Sequence, residues 1–423
     1  MTSEAALRAG AILNIDLAAV VANWRLLAAH VAPAHCAAVV KADAYGLGAM
    51  PVARALAAAG CRLFFVATLD EGVALRGALG PGPEIAVFNG PLPGTAGEFL
   101  AHALIPVLNE PGQLAEWRMA IAPALTIPSP AYGGGLGGAG LSGEEPGRGY
   151  SADGQRSPSC WLQPPAGCPH TVPHPQAGEG NVQAPAAILH IDTGMARLGL
   201  SNSELTALLR EPPSIRWRAV MSHLACADDT THALNPAQRV RFGRALGAFS
   251  GIPASLAASS GIFLGADYHL DLVRPGAALY GVNPTPGQPN PMRPAVRLDA
   301  KILQIRQIDR GESVGYGAAH IMQGPGRLAT VAVGYADGWL RSFSHRGCGF
   351  LSGIRVPLVG RVSMDLATFD VSAVEPALAR PGAMIELLGT HYGVDEAAGD
   401  AGTIGYEILT ALGDRLHRVY APA

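Results

Sequence analysis

The sequence predicts an α/β protein in two parts: an N-terminal (β/α)8, TIM-like barrel and a C-terminal, mostly β domain. Three observations predict it. Apolar, strand-like runs alternate with helix-like segments from about residue 12 to 280, the pattern of βαβ units and so of a parallel sheet. About eight such repeats favour a closed barrel over an open sheet. After Gly281 the texture changes to short β-rich pieces separated by turns.

Strand-like runs fall at 12–17, 36–41, 62–68, 84–89, 104–108, 187–192, 215–223, 254–259 and 270–274. Between them, Thr68 with Glu71 and Ser201 with Glu204 read as capping boxes, and Asn235 before Pro236 reads as an N-cap with a first-turn proline. The stretch 281–294, rich in Pro and Gly, reads as a linker. Beyond it, 300–308, 327–333 and 384–388 read as strands and 406–416 as one late helix. Residues 127–186 interrupt the barrel with 13 Gly and 10 Pro in 60 residues. That composition buries too little apolar surface to offset chain entropy, so a disordered insertion is expected.

Composition narrows the function. A formal net charge of −3 with 15% charged residues gives no electrostatic case for nucleic acid. No run approaches the length of a membrane span, and MTSEAALRAG lacks the apolar core of a signal peptide. Six cysteines without framework spacing suit reduced thiols, so a cytoplasmic protein is expected. Cys160, Cys168, His170 and His174 match no standard zinc spacing, and no metal is expected.

The chain has two lysines, Lys41 and Lys301, against 28 arginines. Arginine stays charged, whereas a desolvated lysine becomes a neutral amine able to form a Schiff base or take a proton. Lys41 closes the apolar run Ala37-Ala38-Val39-Val40, at the strand end where barrel enzymes carry their chemistry. Taken alone, it reads more readily as a lysine snorkelling from a strand end.

The run Val39-Val40-Lys41-Ala42-Asp43-Ala44-Tyr45-Gly46 resembles the pyridoxal phosphate lysine motif of alanine racemases. Further matches follow in register: Ile15-Asp16-Leu17 with Asn23, the run from Ile191-Asp192-Thr193 to Arg197-Leu198-Gly199, Ser222-His223-Leu224-Ala225, and Val273-Arg274-Pro275-Gly276-Ala277 to Gly281. Past the linker come Val314-Gly315-Tyr316-Gly317, Val333-Gly334-Tyr335-Ala336-Asp337-Gly338, Gly360-Arg361-Val362-Ser363-Met364-Asp365 and Thr403-Ile404-Gly405-Tyr406-Glu407. The likeness covers the chain outside 127–186.

The resemblance implies a barrel at 12–280 and a β domain at 281–423 that also takes the first strand, within residues 1–17. It implies a homodimer in which each β domain completes its partner's site. The activity would be interconversion of L- and D-alanine, supplying D-alanine for peptidoglycan, with pyridoxal 5'-phosphate held by Lys41. Lys41 would act as base on one face of the substrate and Tyr316 of the partner subunit on the other, helped by His223 with Arg274 behind it. Arg274 at the pyridine nitrogen, where many such enzymes place a carboxylate, would keep the carbanion short-lived and suppress side reactions. Tyr406, Ser259 and the N–H groups of Gly276 and Ala277 would hold the phosphate. Arg197 would bond the phenolic oxygen, Tyr45 would pack beside the cofactor, and the Met364 N–H would receive the substrate carboxylate. Tyr335 and Tyr406 would narrow the entrance, with Asp228, Arg341 and Arg361 lining its outer part.

Two positions depart from the family pattern. His190 stands where many relatives carry a lysine, carbamylated in some, that orients the arginine at 197. Ala258 stands where an Asn commonly precedes the phosphate-site serine. A broader amino-acid racemase shares every feature above. A non-catalytic cofactor carrier would lack Tyr316 and its domain, and a decarboxylase of this layout would need a carboxylate in place of Arg274.

Overall fold

A computed structural model describes residues 4–125 and 185–423. The expected insertion at 127–186, with its four Cys and His residues, lies outside the described residues, except that Ala186 already opens a strand.

Ala38–Val39, Leu63–Val66, Glu84–Val87, Ile105–Leu108, Ala186–His190, Arg216–Met221 and Ala254–Ser255 form one parallel sheet in that order. Leu272–Val273 closes the ring. It pairs in parallel with His35–Cys36, just before the first strand, while Asp271 and Arg274 donate their N–H groups to Ala254 and Ala257 on the other side. The strands read as unbroken apolar runs because both faces are covered: Phe64, Phe65, Ala86, Val107, Leu189 and Val220 are all buried.

Both capping boxes form, each hydroxyl accepting from the glutamate N–H three residues on and each glutamate accepting in return. Asn235 corrects the sequence reading. The helix Leu234–Leu246 is capped by Ala233, and buried Asn235 spends its amide on the carbonyls of Cys226 and Asp229, holding the preceding loop. The helix at 406–416 is shorter, Gly405–Ala411, and is preceded by a second, Val394–Ala401, that the sequence pattern did not suggest.

The second sheet is built on the long strand Val296–Ile308. Its order is Ile354–Pro357, Cys348–Leu351, Met384–Leu388, Val296–Ile308, Ala11–Asp16 and His417–Ala421, with Gly326–Val331 and Ala367–Asp370 continuing from the far half of the long strand. Ala11–Asp16 runs antiparallel to the long strand and parallel to His417–Ala421. The chain therefore starts in this sheet, crosses to the barrel through the helix Leu17–Val31, and returns. Among the described residues, no helix is long and apolar enough to cross a membrane.

Asn23, buried on that crossing helix, ties it to the return path. Its amide donates to the carbonyls of Leu279 (3.1 Å) and Arg293 (2.9 Å), and its oxygen accepts the Arg293 N–H at 2.7 Å. Asn23→Ala strands three backbone groups, one buried and two half-buried, and should lower stability by about 1–3 kcal/mol, read as a fall in the urea midpoint; a shift below about 0.5 kcal/mol would show that water replaces the amide.

Candidate active site

Lys41 follows the end of the first barrel strand, and the chain then does something that L-residues avoid. Ala42, Asp43, Ala44 and Tyr45 all sit at φ 51–56° and ψ 39–50°, a turn of left-handed helix, each residue costing about 1–2 kcal/mol relative to the right-handed form. Specific partners hold it. One Glu71 oxygen accepts the Ala42 N–H at 2.6 Å and the other the Ala67 N–H at 2.7 Å, while Asp43 accepts the Ala49 N–H at 2.6 Å. Lys41 is thus aimed by its own backbone, its Nζ 5.8 Å from the Phe88 ring centre. Burial, then the positive charge of Arg197, pull its pKa below the ordinary lysine value, with Glu71 partly opposing. The sequence showed Glu71 only as a capping residue; its second role was unreadable because Ala42 is 29 residues away.

Arg274, 1% exposed, has no carboxylate partner among the described residues. It donates to the Ser255 hydroxyl, to the Ser222 carbonyl at 2.7 Å and to His223 Nδ1 at 3.4 Å. Burial draws its pKa down to about 9, so it stays cationic at neutral pH. His223 is held neutral, its pKa lowered to about 3 by burial and then by Arg274, Arg197, His190 and Lys41. With Nδ1 accepting, the neutral ring carries its proton on Nε2. His190 is also neutral, lowered to about 4 mainly by burial, and its Nδ1 lies 2.8 Å from Asn109 Oδ1. The Asn109 amide is fixed by the carbonyls of Phe88 and Val107, so His190 Nδ1 is the donor.

Ser259, buried, accepts the N–H groups of Gly276 (3.0 Å) and Ala278 (3.2 Å), which leaves its own proton free to donate. Gly276 also gives room, since a Cβ there would meet the Tyr45 hydroxyl at 2.3 Å. Ala277 begins the tight turn Ala277–Tyr280 beside it. Tyr45 packs on Tyr280 (4.9 Å between ring centres) and faces Tyr406 at 6.0 Å. Burial, then the carboxylates of Asp228 and Asp395, raise the Tyr406 phenol above its usual range. These contacts gather the barrel residues and Tyr406 around one cleft.

Arg197 is exposed on a loop that its neighbours fix. The Asp192 carboxylate accepts three successive N–H groups, those of Gly194, Met195 and Ala196, at 2.8–3.0 Å. Buried Gln238 donates to Thr193 Oγ1 and the His223 carbonyl, and Arg241 donates to the Thr193 carbonyl. The sequence missed these supports; their signal is a polar i, i+3 pair on a helix face that would otherwise be apolar.

The remaining predicted residues sit on the sheet domain. Tyr316 is 72% exposed and Met364 54%, and Tyr335, Arg341 and Arg361 are exposed. Tyr335 is hydrogen-bonded through its N–H to the Ser363 carbonyl (3.1 Å), next to Met364. Arg361 lies against the Gly317 turn and, with Arg341, lines a cavity of about 320 Å³ shared with His345 and Arg346. Among the described residues, no hydrogen bond, ion pair or ring contact joins this group to Lys41, and no cluster of His, Cys, Asp and Glu could hold a metal ion.

The matches with known proteins agree with this geometry. Residues 15–126 and 175–284 match the family model "Alanine racemase, N-terminal domain", and 295–420 match "Alanine racemase, C-terminal domain". The chain belongs to the alanine racemase family. It is 46% identical over 421 residues to "Alanine racemase, catabolic" of Mesorhizobium japonicum, covering 99% of this chain and 94% of that one. It is 47% identical over 417 residues to the alanine racemase of Rhodospirillum rubrum, covering 98% and 96%. The crystal structure of alanine racemase from Bartonella henselae with covalently bound pyridoxal phosphate superimposes with a TM-score of 0.81 at 35% identity, covering 98% of this chain and all of that one.

This alanine racemase family member carries two imidazoles, buried His190 and half-buried His223, whose pKa values are lowered on folding. Between about pH 4 (His190) or 3 (His223) and the ordinary 6.5, the unfolded chain binds the extra protons. Stability is then complete above pH 6.5 and lost as pH falls, by up to about 1.4 kcal/mol per pH unit for each ring. Urea midpoints measured from pH 7 to 4.5 should fall, and less steeply in His190→Asn; a flat wild-type profile would contradict the neutral assignment.

Proposed function

We propose that this protein interconverts L- and D-alanine with pyridoxal 5'-phosphate on Lys41, and that two copies share their sites. The observation that carries the reading is a cluster of cations: Lys41, Arg197 and Arg274 all bear on His223, which is held neutral. An anionic cofactor suits such a site. Ser259 has a proton to give, and the bare Cα of Gly276 beside Tyr45 forms a cradle that a side chain would fill. Arg274 donates without surrendering a proton, which disfavours charge on a ring nitrogen placed against it.

Bound through Lys41, pyridoxal phosphate supplies the electron sink that an unactivated Cα–H requires. Lys41, its pKa lowered, is available as a neutral amine to take a proton at one face. The exposed Tyr316 serves the opposite face from the second copy. His223 presents Nε2–H, a donor suited to hold the phenolic oxygen of Tyr316 of the partner subunit while it moves a proton. Arg197 bonds the cofactor's phenolic oxygen, and the Met364 N–H of the partner subunit takes the substrate carboxylate. Tyr335, Tyr406, Asp228, Arg341 and Arg361 narrow the way in to a small side chain. Enantiomers have equal free energy, so one site serves supply of D-alanine for peptidoglycan or, as the Mesorhizobium relative's name records for that protein, catabolism. We place the protein in the cytoplasm.

Mixing two dead variants tests the shared site. Lys41→Ala should lose both the cofactor's visible absorbance and racemisation, whereas Tyr316→Phe should keep the absorbance and lose turnover. Exchanged with each other, they should recover about a quarter of wild-type activity, because half the dimers are hybrid and each holds one intact site. No recovery in verified hybrids would place both bases in one chain.

A further inference from the structure

Arg415 lies 50 residues from Asp365 and 78 from Asp337 along the chain, yet three of its contacts converge on the loops that carry Tyr335 and Met364. Its Nε is 2.9 Å from Asp337 Oδ1, its Nη2 3.5 Å from Asp337 Oδ2, and its Nη1 2.7 Å from Asp365 Oδ1. Asp337 closes the turn that begins Gly334-Tyr335, and its Oδ2 accepts the Gly334 N–H at 2.9 Å. Asp365 follows Met364 directly. The two loops are also laced together, Tyr335 N–H to Ser363 O at 3.1 Å and Ala336 N–H to Met364 O at 2.9 Å. They approach so closely that a Cβ on Gly334 would lie 2.4 Å from the Met364 and Ser363 carbonyl oxygens.

We propose that Arg415 is a positioning residue for substrate binding, clasping the Tyr335 and Met364 loops into one rigid unit; this rests on the roles assigned to those two residues above. An exposed ion pair alone would contribute little. Asp337 is different, because its side chain is only 5% exposed, and a buried carboxylate stripped of its cation is costly. A cavity of about 290 Å³ borders Asp337, Asp365 and Arg415, giving the loops room to shift once the clasp is lost. Lysine is a poor substitute, since a single ammonium cannot reproduce the planar fork that reaches both carboxylates. The clasp also reaches Tyr406. The Gly413 N–H bonds the Asp337 carbonyl at 3.0 Å, and Gly338 is pressed against Ala411, the last residue of the helix that carries Tyr406.

The test compares holoenzyme of wild type, Arg415→Ala, Arg415→Lys and the milder Asp365→Asn by amide hydrogen exchange and by alanine kinetics. Arg415→Ala should speed exchange at 334–338 and 363–366 by about tenfold or more. It should raise KM about five- to tenfold with kcat within about twofold. Arg415→Lys should recover only part of this, and Asp365→Asn should have a smaller effect that disappears in the Arg415→Ala background. Unchanged exchange in both loops overturns the proposal, as does faster exchange with an unchanged KM, which would make Arg415 a stability anchor only. Wild type that does not racemise alanine would overturn the functional reading instead, while exchange still reports whether the clasp exists.

Discussion

The left-handed turn after Lys41 is the constraint on which the rest of the site depends. Four consecutive non-glycine residues in that conformation persist only where surrounding structure over-determines them. Glu71 accepts the Ala42 N–H, Asp43 accepts that of Ala49 beyond the turn, and Tyr45 is wedged against Tyr280, whose hydroxyl reaches back to the Val39 carbonyl at 2.9 Å. The C-terminal region closes the arrangement. Gly46 is so near the helix Gly405–Ala411 that a Cβ would lie 2.5 Å from the Leu409 carbonyl, and Arg418 donates to the Gly46 carbonyl at 3.0 Å. The lysine turn is therefore also the seam between barrel and sheet domain, and the strain at Lys41 is borne by both.

Electrostatics follow from that placement. Cations gathered in a low-dielectric cleft repel one another, and the structure relieves this mainly with neutral partners, Glu71 partly opposing at Lys41. The two histidines stay neutral, Arg274 spends its protons on carbonyl, hydroxyl and imidazole, and Asp192 is occupied by three backbone N–H groups instead of an arginine. The uncompensated positive charge that remains is what a phosphate-bearing ligand would neutralise. Net charge for the whole chain, at −3, conceals this local excess.

How legible each part was in the sequence depends on the range of the interactions that form it. The barrel strands were readable because a doubly covered parallel strand is apolar at every position, as in Leu63–Val66. The capping boxes were readable because both partners lie within one turn. Lys41 stood out because a chain that otherwise uses arginine kept a lysine at a strand end, and its neighbours resemble a known motif. Asn235 misled because a local preference for capping yielded to a buried loop carbonyl, and the helix Val394–Ala401 is short and buries only alanines, so no run of large apolar residues announces it. The Asn109–His190 pair, 81 residues apart, and the grip of Glu71 on Ala42 have no local signature at all.

His190 shows how a departure from the family pattern can be absorbed. Asn109 commits its amide to two barrel carbonyls, and so leaves only its oxygen for the imidazole. The ring is thereby locked in one tautomer, with Nε2 bare and Cδ2 packed 3.1 Å from where a Gly199 Cβ would be. Gly199 lies at φ +104° at the close of the loop that carries Arg197, and its lack of a side chain lets the ring support that loop. A charged lysine derivative would orient the arginine by attraction. A neutral ring packed against the loop supports it by shape and adds no charge near Lys41, whose pKa is already lowered by burial and by Arg197.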